Sequence, residues 1–241
     1  ATGRPVLRSD NFVPQEGLFT RPTEEGVRMA PGGNGGANWS PVAYSPRTGF
    51  AYVLGIHQPM VFRRAFQPRE PGRPWLGGSF TAVPGEPAWG TFSAIDVRTG
   101  EIRWQRKVPV PMAGAALVTA GDVVFVGQGT GTFDAFDAES GELLWQFQAG
   151  AGVHGGPVTY LVDGVQYVAV AAGGNHHLDT PRGDDLLVFA LQGGEDRPPV
   201  RPAQYPEARY TRHGPVRPGA VRQVPAAELQ RGALDRPSAP R

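Results

Sequence analysis

The sequence contains no cysteine. This absence excludes disulfide bonds, cysteine nucleophiles, cysteine-based zinc sites and haem attachment through a Cys-x-x-Cys-His motif. No apolar run approaches the roughly 18 residues of a transmembrane helix, and the first residues do not show a basic stretch followed by an apolar one. The formal net charge is only +1, which gives no general attraction to nucleic acid or to a membrane surface. We therefore expect neither a transmembrane segment nor a nucleic-acid partner in this chain.

Glycine and proline are abundant, with 34 and 25 residues respectively, and this favours many short strands and turns over long helices. Strand-like patterns continue to about residue 192. Residues 193–241 are rich in proline and arginine and poor in aliphatic residues. Such a composition buries too little apolar area to offset the entropy of ordering. The sequence thus predicts a folded part over 1–192 and a disordered tail over 193–241.

One short sequence occurs twice. GTFSAIDVRTGEIRW begins at Gly90 and GTFDAFDAESGELLW begins at Gly131, so the offset is 41 residues and eight of the fifteen positions are identical. Self-similarity at a fixed period of this length indicates a repeat architecture, although two unrelated core tryptophans at strand ends remain the alternative.

The second copy lies within four strand-like segments joined by turn signals. Residues 115–120, 123–128, 132–138 and 142–148 are each apolar or alternate in polarity, and Gly, Asp, Ser and Thr separate them. Four strands with tight connections predict an antiparallel sheet of roughly 40 residues. That content and period are typical of a β-propeller blade.

The repeated residues suit a contact between neighbouring blades. Gly100 and Gly141 lie in turns that favour positive φ, and the aspartates four residues earlier can accept backbone N–H bonds. Ala94 and its counterpart at 135 are small, whereas Trp104 and its counterpart at 145 are large. We predict that each indole lies against a small residue or a glycine backbone of a neighbouring sheet.

The pattern Ala-x-Asp-x-x-x-Gly-x-x-x-Trp resembles the tryptophan-docking motif of the quinoprotein dehydrogenases, which are eight-bladed propellers that bind pyrroloquinoline quinone. Residues 17–53 resemble a family segment with a Gly-rich turn, Asn-Trp and a Pro-x-Thr-Gly hairpin. Residues 113–147 are similar to the penultimate blade, and 151–174 with 182–191 are similar to the closing blade. The resemblance covers about residues 1–192 and implies the C-terminal part of an alcohol- or glucose-type enzyme.

The resemblance implies an all-β, partial propeller of about three four-stranded antiparallel blades, from Asn38 to Trp104 with an insertion at 67–89, from 115 to 147, and from 157 to 191. Such an arc would expose a sheet face at each end. Family members are more than twice as long, and their calcium ligands and catalytic aspartate come from earlier blades, which match no segment here. We therefore expect no catalytic residue and no metal ligand in this chain, and the chain alone to be inactive.

The strongest candidate site is GGNGGANW, residues 32–39. Glycines allow backbone to approach a flat ligand, Asn38 offers a donor and an acceptor, and Trp39 offers an indole N–H or a wall. The family places Asn-Trp here against the cofactor, so the resemblance implies that Gly36, Asn38 and Trp39 bind the quinone. The alternative is a structural Gly-rich turn with a core tryptophan.

A second candidate is GGNHHLDTPRGDD, residues 173–185. The resemblance places its Gly-Gly loop at the cofactor end of the closing blade and implies that Gly173, Gly174 and Asn175 line the cofactor. His176 and His177 near three aspartates suggest a metal site. Neighbouring side chains of an extended chain point in opposite directions, so the two histidines would not chelate together unless the loop turns there.

Two functions follow. In the first, the chain is part of a dehydrogenase that oxidises an alcohol, sugar or polyol. The resemblance implies that a base takes the hydroxyl proton, that hydride passes to the quinone and that Ca²⁺ polarises the quinone. It also implies that the enzyme is periplasmic. Expected partners are the small substrate and the remaining blades of the same enzyme. The closing-blade sequence resembles the glucose and polyol branch more than the methanol branch. The alternative is a non-catalytic propeller-repeat scaffold for protein contacts, which accounts for the repeat but not for GGNGGANW.

Overall fold

A computed structural model describes residues 2–190 of the chain. Within this range the regular structure consists of fourteen strands and no helix. The predicted tail, 193–241, and the end of the predicted closing blade at residue 191 lie outside the described residues. The strands are β1 Val27–Met29, β2 Ala43–Ser45, β3 Phe50–His57, β4 Met60–Arg64, β5 Gly78–Ala82, β6 Trp89–Asp96, β7 Ile102–Val108, β8 Ala116–Val118, β9 Val123–Gly127, β10 Thr132–Asp137, β11 Leu143–Gln148, β12 Val158–Val162, β13 Val165–Ala172 and β14 Asp185–Ala190.

The strands form four antiparallel sheets. The first sheet has the order β2-β3-β6-β7, the second β11-β10-β9-β8 and the third β12-β13-β14. An additional sheet, called the insert sheet below, has the order β1-β4-β5. The all-β, propeller-type fold predicted from the sequence is confirmed. In the described part of the chain two of the sheets have four strands, and the third sheet has three.

The second sheet matches the sequence prediction strand by strand. Each of its strands lies inside one of the four predicted segments, and its strands are neighbours in chain order. The prediction succeeds here because the alternation of polarity and the turn residues are both local signals.

The insertion predicted at 67–89 contains strand β5, and the partner strand β4 precedes it. The segment between β3 and β6 contains the hairpin β4–β5, in which Met60 pairs with Ala82 and Arg64 with Gly78. Strand β1 joins this hairpin from far away in the sequence through the pairing of Val27 with Phe62. Strand β1 immediately precedes the GGNGGANW loop, so the insert sheet sets where that loop begins.

Trp104 connects the first sheet to the second in the way that the repeat predicts. Its Nε1 donates to the Ala138 backbone oxygen at 3.1 Å. Gly141 has a φ of 70°, and a Cβ placed on it would lie 2.5 Å from Trp104 Cδ2, so the indole occupies the space of a side chain. The preceding Asp137 accepts the Ser140 N–H at 2.9 Å and thereby holds the turn. The predicted contact between an indole and a glycine backbone is confirmed for Trp104.

Trp145 connects the second sheet to the third through a different contact. It is buried, and its ring centroid lies 5.1 Å from that of Phe189 on β14 in an edge-to-face arrangement. Phe133 stacks on the same phenylalanine at 5.6 Å. Within the described residues Trp145 packs against Phe189, and its predicted contact with a small residue or a glycine backbone stays a prediction.

The two ends of the arc differ. On the outer face of the first sheet, the Thr91 hydroxyl donates to the Phe12 backbone oxygen at 3.0 Å, Val13 is buried, and the Asp10 N–H donates to the Gly100 oxygen at 2.8 Å. The expectation of two exposed sheet faces is therefore wrong at this end, because the N-terminal segment covers it. The outer face of the third sheet remains exposed at Val158, Tyr160, Val162 and Leu186.

Candidate functional site

The GGNGGANW loop is held by the β3–β4 connection beneath it. The Gly32 N–H donates to the Gln58 backbone oxygen at 3.0 Å, and the Asn34 side-chain amide donates to Gln58 Oε1 at 2.6 Å. The Ile56 N–H donates to the Gly36 oxygen at 2.7 Å. A Cβ on Gly32 would lie 2.3 Å from the Gln58 oxygen, so this close approach requires glycine.

The loop after β13 is held by a buried threonine. The Thr180 hydroxyl accepts the Asn175 N–H at 2.8 Å and lies 3.1 Å from His154 Nε2. The Gly174 N–H donates to the Gly152 oxygen at 2.8 Å, and a Cβ on Gly174 would lie 2.3 Å from the Pro181 oxygen. Gly174 therefore has a structural reason to be glycine.

These two loops meet at one small cavity. Three of the six residues predicted to bind the cofactor line it, namely Asn38, Trp39 and Asn175. Gly36, Gly173 and Gly174 belong to the same two loops but do not line it. The cavity measures about 10 Å³, which is room for roughly one water molecule. The remaining lining residues are Asn34, Ile56, Ala113, His177 and Leu178.

A flat ligand would therefore lie on the outer surface of these loops and not inside the cavity. The Trp39 side chain is 67% exposed and presents a free ring face. Asn38 is exposed too, and its amide has no hydrogen-bond partner in the part of the chain that the structure describes. The adjacent Ser40 hydroxyl oxygen is buried without a partner among those residues. Trp39 and Asn38 thus offer one exposed aromatic face and one unsatisfied amide, and no carboxylate or guanidinium lines the cavity between the loops.

His176 and His177 lie in a turn, and their ring centroids are 3.7 Å apart. The expectation that they point in opposite directions is wrong, because the chain is not extended at this point. Over residues 2–190, no group of three or more His, Asp or Glu side chains is close enough to hold a metal ion.

Of two other histidines, His57 is buried and His154 is half-buried. The Nδ1 atom of each is buried without a hydrogen-bond partner within the described range. Burial lowers the pKa of both, and for His57 the nearby Arg28 lowers it further. The His57 ring centroid lies 4.3 Å from that of Trp89, and Lys107 Nζ lies 3.9 Å from the centroid of the same Trp89 ring. Both histidines are therefore favoured in the neutral form, as packing and hydrogen-bonding groups.

The residues that hold the two loops could not be identified from the sequence. Gln58 and Thr180 act through contacts with residues distant along the chain or within an irregular loop, and neither carries a motif. His154 has only the adjacent glycines as a local signal, which does not indicate its contact with Thr180.

The comparisons with known proteins agree with the geometry of the sheets. Residues 75–168 match the family described as PQQ: Glucose/ethanol/alcohol dehydrogenase, beta-propeller domain. The chain is 39% identical over 172 residues to the quinoprotein alcohol dehydrogenase PedH of Pseudomonas putida, covering 71% of this chain and 29% of that protein. It is 36% identical to the quinoprotein ethanol dehydrogenase of Pseudomonas putida, covering 80% of this chain and 31% of that protein.

Relatives from other branches match almost as well. Identity is 31% to the quinoprotein glucose dehydrogenase of Escherichia coli, over 73% of this chain and 28% of that protein. It is 33% to the lanthanide-dependent methanol dehydrogenase of Methylorubrum extorquens, over 71% and 28%. These values do not favour the glucose and polyol branch over the methanol branch.

Solved structures show the same relationship. The quinohemoprotein alcohol dehydrogenase from Comamonas testosteroni superposes with a TM-score of 0.60 and 29% identity, covering 78% of this chain and 30% of that one. A europium-containing methanol dehydrogenase gives a TM-score of 0.58 and 32% identity, covering 63% and 28%. The chain spans less than a third of the length of each of these relatives. Its described sheets belong to the β-propeller domain of the quinoprotein alcohol and glucose dehydrogenases.

Proposed function

We propose that this chain supplies part of the wall that holds pyrroloquinoline quinone in a dehydrogenase oxidising an alcohol, a sugar or a polyol. The observation that supports the proposal is the meeting of two loops at one end of the sheets. Asn38 and Trp39 come from the loop after β1, and Asn175 comes from the loop after β13. The repeat gives no reason for these residues to meet, and a scaffold would not require it.

The residues present fit a planar, oxygen-rich cofactor. Trp39 offers an exposed ring face for stacking, and the Asn38 amide can donate to a quinone or carboxylate oxygen and accept from a protonated one. Gln58 and Thr180 hold the two loops, so both groups are positioned before a ligand arrives. When bound, the quinone supplies the redox chemistry as the acceptor of hydride from the substrate.

The described residues do not provide a complete active site in this proposal. Because no carboxylate or guanidinium lines the cavity between the two loops, we assign the Ca²⁺ ligands, the base and the cations that balance the cofactor charge to other blades of the enzyme. This chain alone is then inactive, and its partners are the small substrate and those blades. The periplasmic location belongs to the same proposal and is based on the family resemblance.

The test is quinone binding to the apo form of the complete propeller. Loss of one hydrogen bond to a charged cofactor group costs about 1.5–3 kcal/mol, or roughly ten- to a hundredfold in affinity. Asn38→Ala should weaken quinone binding by that factor, measured by calorimetric titration and by half-maximal reconstitution of activity. The matched control is Asn11→Ala, an exposed asparagine outside the two loops, which should leave the titration unchanged. If the titration curves of Asn38→Ala and wild type coincide, GGNGGANW is a structural turn and does not bind the quinone through Asn38.

A further inference from the structure

The insert sheet carries a cleft of about 450 Å³, a volume within the range of small-molecule sites. We infer that this cleft binds an amphipathic organic anion, with an apolar body of aromatic size and one carboxylate or equivalent acidic group. It lies between the hairpin β4–β5 and the segment before β1. The lining residues on which the argument depends are Arg21, Phe62, Arg64, Leu76 and Phe80.

The floor of the cleft is apolar and open to solvent. The Phe62 and Phe80 rings lie side by side on neighbouring strands, with centroids 6.0 Å apart. Leu76 extends this surface and is 65% exposed. Removing such clustered apolar side chains from water is favourable, so the floor attracts the apolar part of a ligand.

The wall that carries Leu76 is fixed before any ligand binds. Gln67 Oε1 accepts the Leu76 N–H at 3.1 Å and the Gly77 N–H at 3.2 Å. The Gln67 backbone oxygen accepts the Trp75 Nε1–H at 2.7 Å. The hydrogen bonds of Gln67 thus hold the 67–77 segment in one conformation. Less conformational entropy is therefore lost when a ligand binds.

The rim of the cleft is cationic. Arg64 is paired with Glu24 at 3.2 Å and also attracts Glu25. Arg21 has no acidic partner among the described residues. Arg63 has none either, but its 3.5 Å contact with the Thr81 hydroxyl places its side chain on the face of the hairpin opposite Phe62 and Phe80. The unpaired guanidinium of Arg21, next to an aromatic floor, is complementary to an anion with an apolar body.

This cleft is separate from the proposed quinone wall, since no residue lines both. The two are nevertheless neighbours through Phe80. A Cβ placed on Gly33 would lie 3.6 Å from Phe80 Cδ2, so the ring forms one side of the cleft and supports the GGNGGANW loop on its other side. A ligand on Phe80 would therefore rest one side chain away from that loop.

The experiment titrates the full chain with 2-naphthoate by calorimetry and compares it with neutral 2-naphthamide, which has the same shape without the charge. We expect saturable 1:1 binding of the carboxylate, weakening with salt, and weaker, salt-insensitive binding of the amide. Arg21→Gln should reduce the carboxylate affinity about three- to fivefold, as loss of an exposed charge pair does. Arg63→Gln, which removes a charge from the opposite face of the hairpin, should change it less. Phe80→Ser should reduce the affinity of both compounds.

The matched control is Arg103→Gln, which removes the same charge from an exposed residue of β7 and should change neither affinity. Circular dichroism checks that each variant folds, and Arg21 lies outside the strands, so its variant remains informative if Arg63→Gln unfolds. Equal affinity for the carboxylate and the amide, or no effect of Arg21→Gln, would overturn the inference. The absence of saturable 2-naphthoate binding would overturn it as well, and would leave the exposed aromatic surface to a macromolecular partner.

Discussion

Replacement of Gly141 by alanine tests the contact between the first and second sheets most directly. The glycine has a φ of 70°, and an alanine in this left-handed region costs about 1–2 kcal/mol. The new Cβ would also lie 2.5 Å from Trp104 Cδ2, too close for any real contact. The indole must then move, and its 3.1 Å hydrogen bond to the Ala138 oxygen, worth about 1 kcal/mol, is lost together with part of its packing. We expect a total loss of about 3–4 kcal/mol in the free energy of unfolding.

Gly164→Ala separates strain from the loss of the indole contact. Gly164 has a φ of 77° but nothing within 4 Å of its Cβ position, so this variant should lose only about 1–2 kcal/mol. Urea unfolding followed by tryptophan fluorescence gives both values. In a Trp104→Ala background the cost of Gly141→Ala should fall to the strain alone, because the clash no longer exists. Equal losses for Gly141→Ala and Gly164→Ala, or additive losses in the double variant, would refute the docking of Trp104 on Gly141.

Three further predictions follow. Burial raises the pKa of Asp134, so its contribution to stability is full below the ordinary carboxyl pKa of 3.8 and is lost as pH rises through the folded-state pKa. The unfolding free energy of wild type minus that of Asp134→Asn should therefore fall over this pH window. A flat or rising difference would contradict this prediction. Trp145→Ala should cost about 3–5 kcal/mol in urea unfolding, and a loss below 1 kcal/mol would show that its edge-to-face packing is unimportant. Thr180→Val should speed hydrogen exchange in 174–183 about tenfold or more without affecting β13; unchanged exchange would mean that Thr180 does not hold the loop.

The second sheet could be predicted from the sequence because its signals are local. Alternation in 132–138 and the Ser-Gly turn that contains Gly141 each fix structure within a few residues. The insert sheet could not be predicted in this way. Its strand β1 pairs with β4 through Val27 and Phe62, and nothing in either short segment encodes a partner so far away.

The candidate site likewise contains some residues that could be predicted and others that depend on long-range contacts. The resemblance identified Asn38, Trp39 and Asn175, and the structure brings these three to one cavity. It does not explain why Gly174 must be glycine, which follows from the nearby Pro181 oxygen. Gln58 and Thr180 were missed because their roles depend on contacts that form only after the sheets assemble.

The hairpin β4–β5, which lies in the chain between strands β3 and β6 of the first sheet, also affects how the chain folds. Strands β3 and β6 form the most extensive pairing of that sheet, from Phe50 with Asp96 to His57 with Trp89, yet the whole 58–88 segment separates their ends. Joining distant strands costs loop-closure entropy that grows with the length of the free loop. Once β4 and β5 have paired from Met60 with Ala82 onward, only short connections remain free. Early formation of the hairpin is thus the cheapest route to the first sheet. Destabilising β4–β5 should slow refolding more than it speeds unfolding.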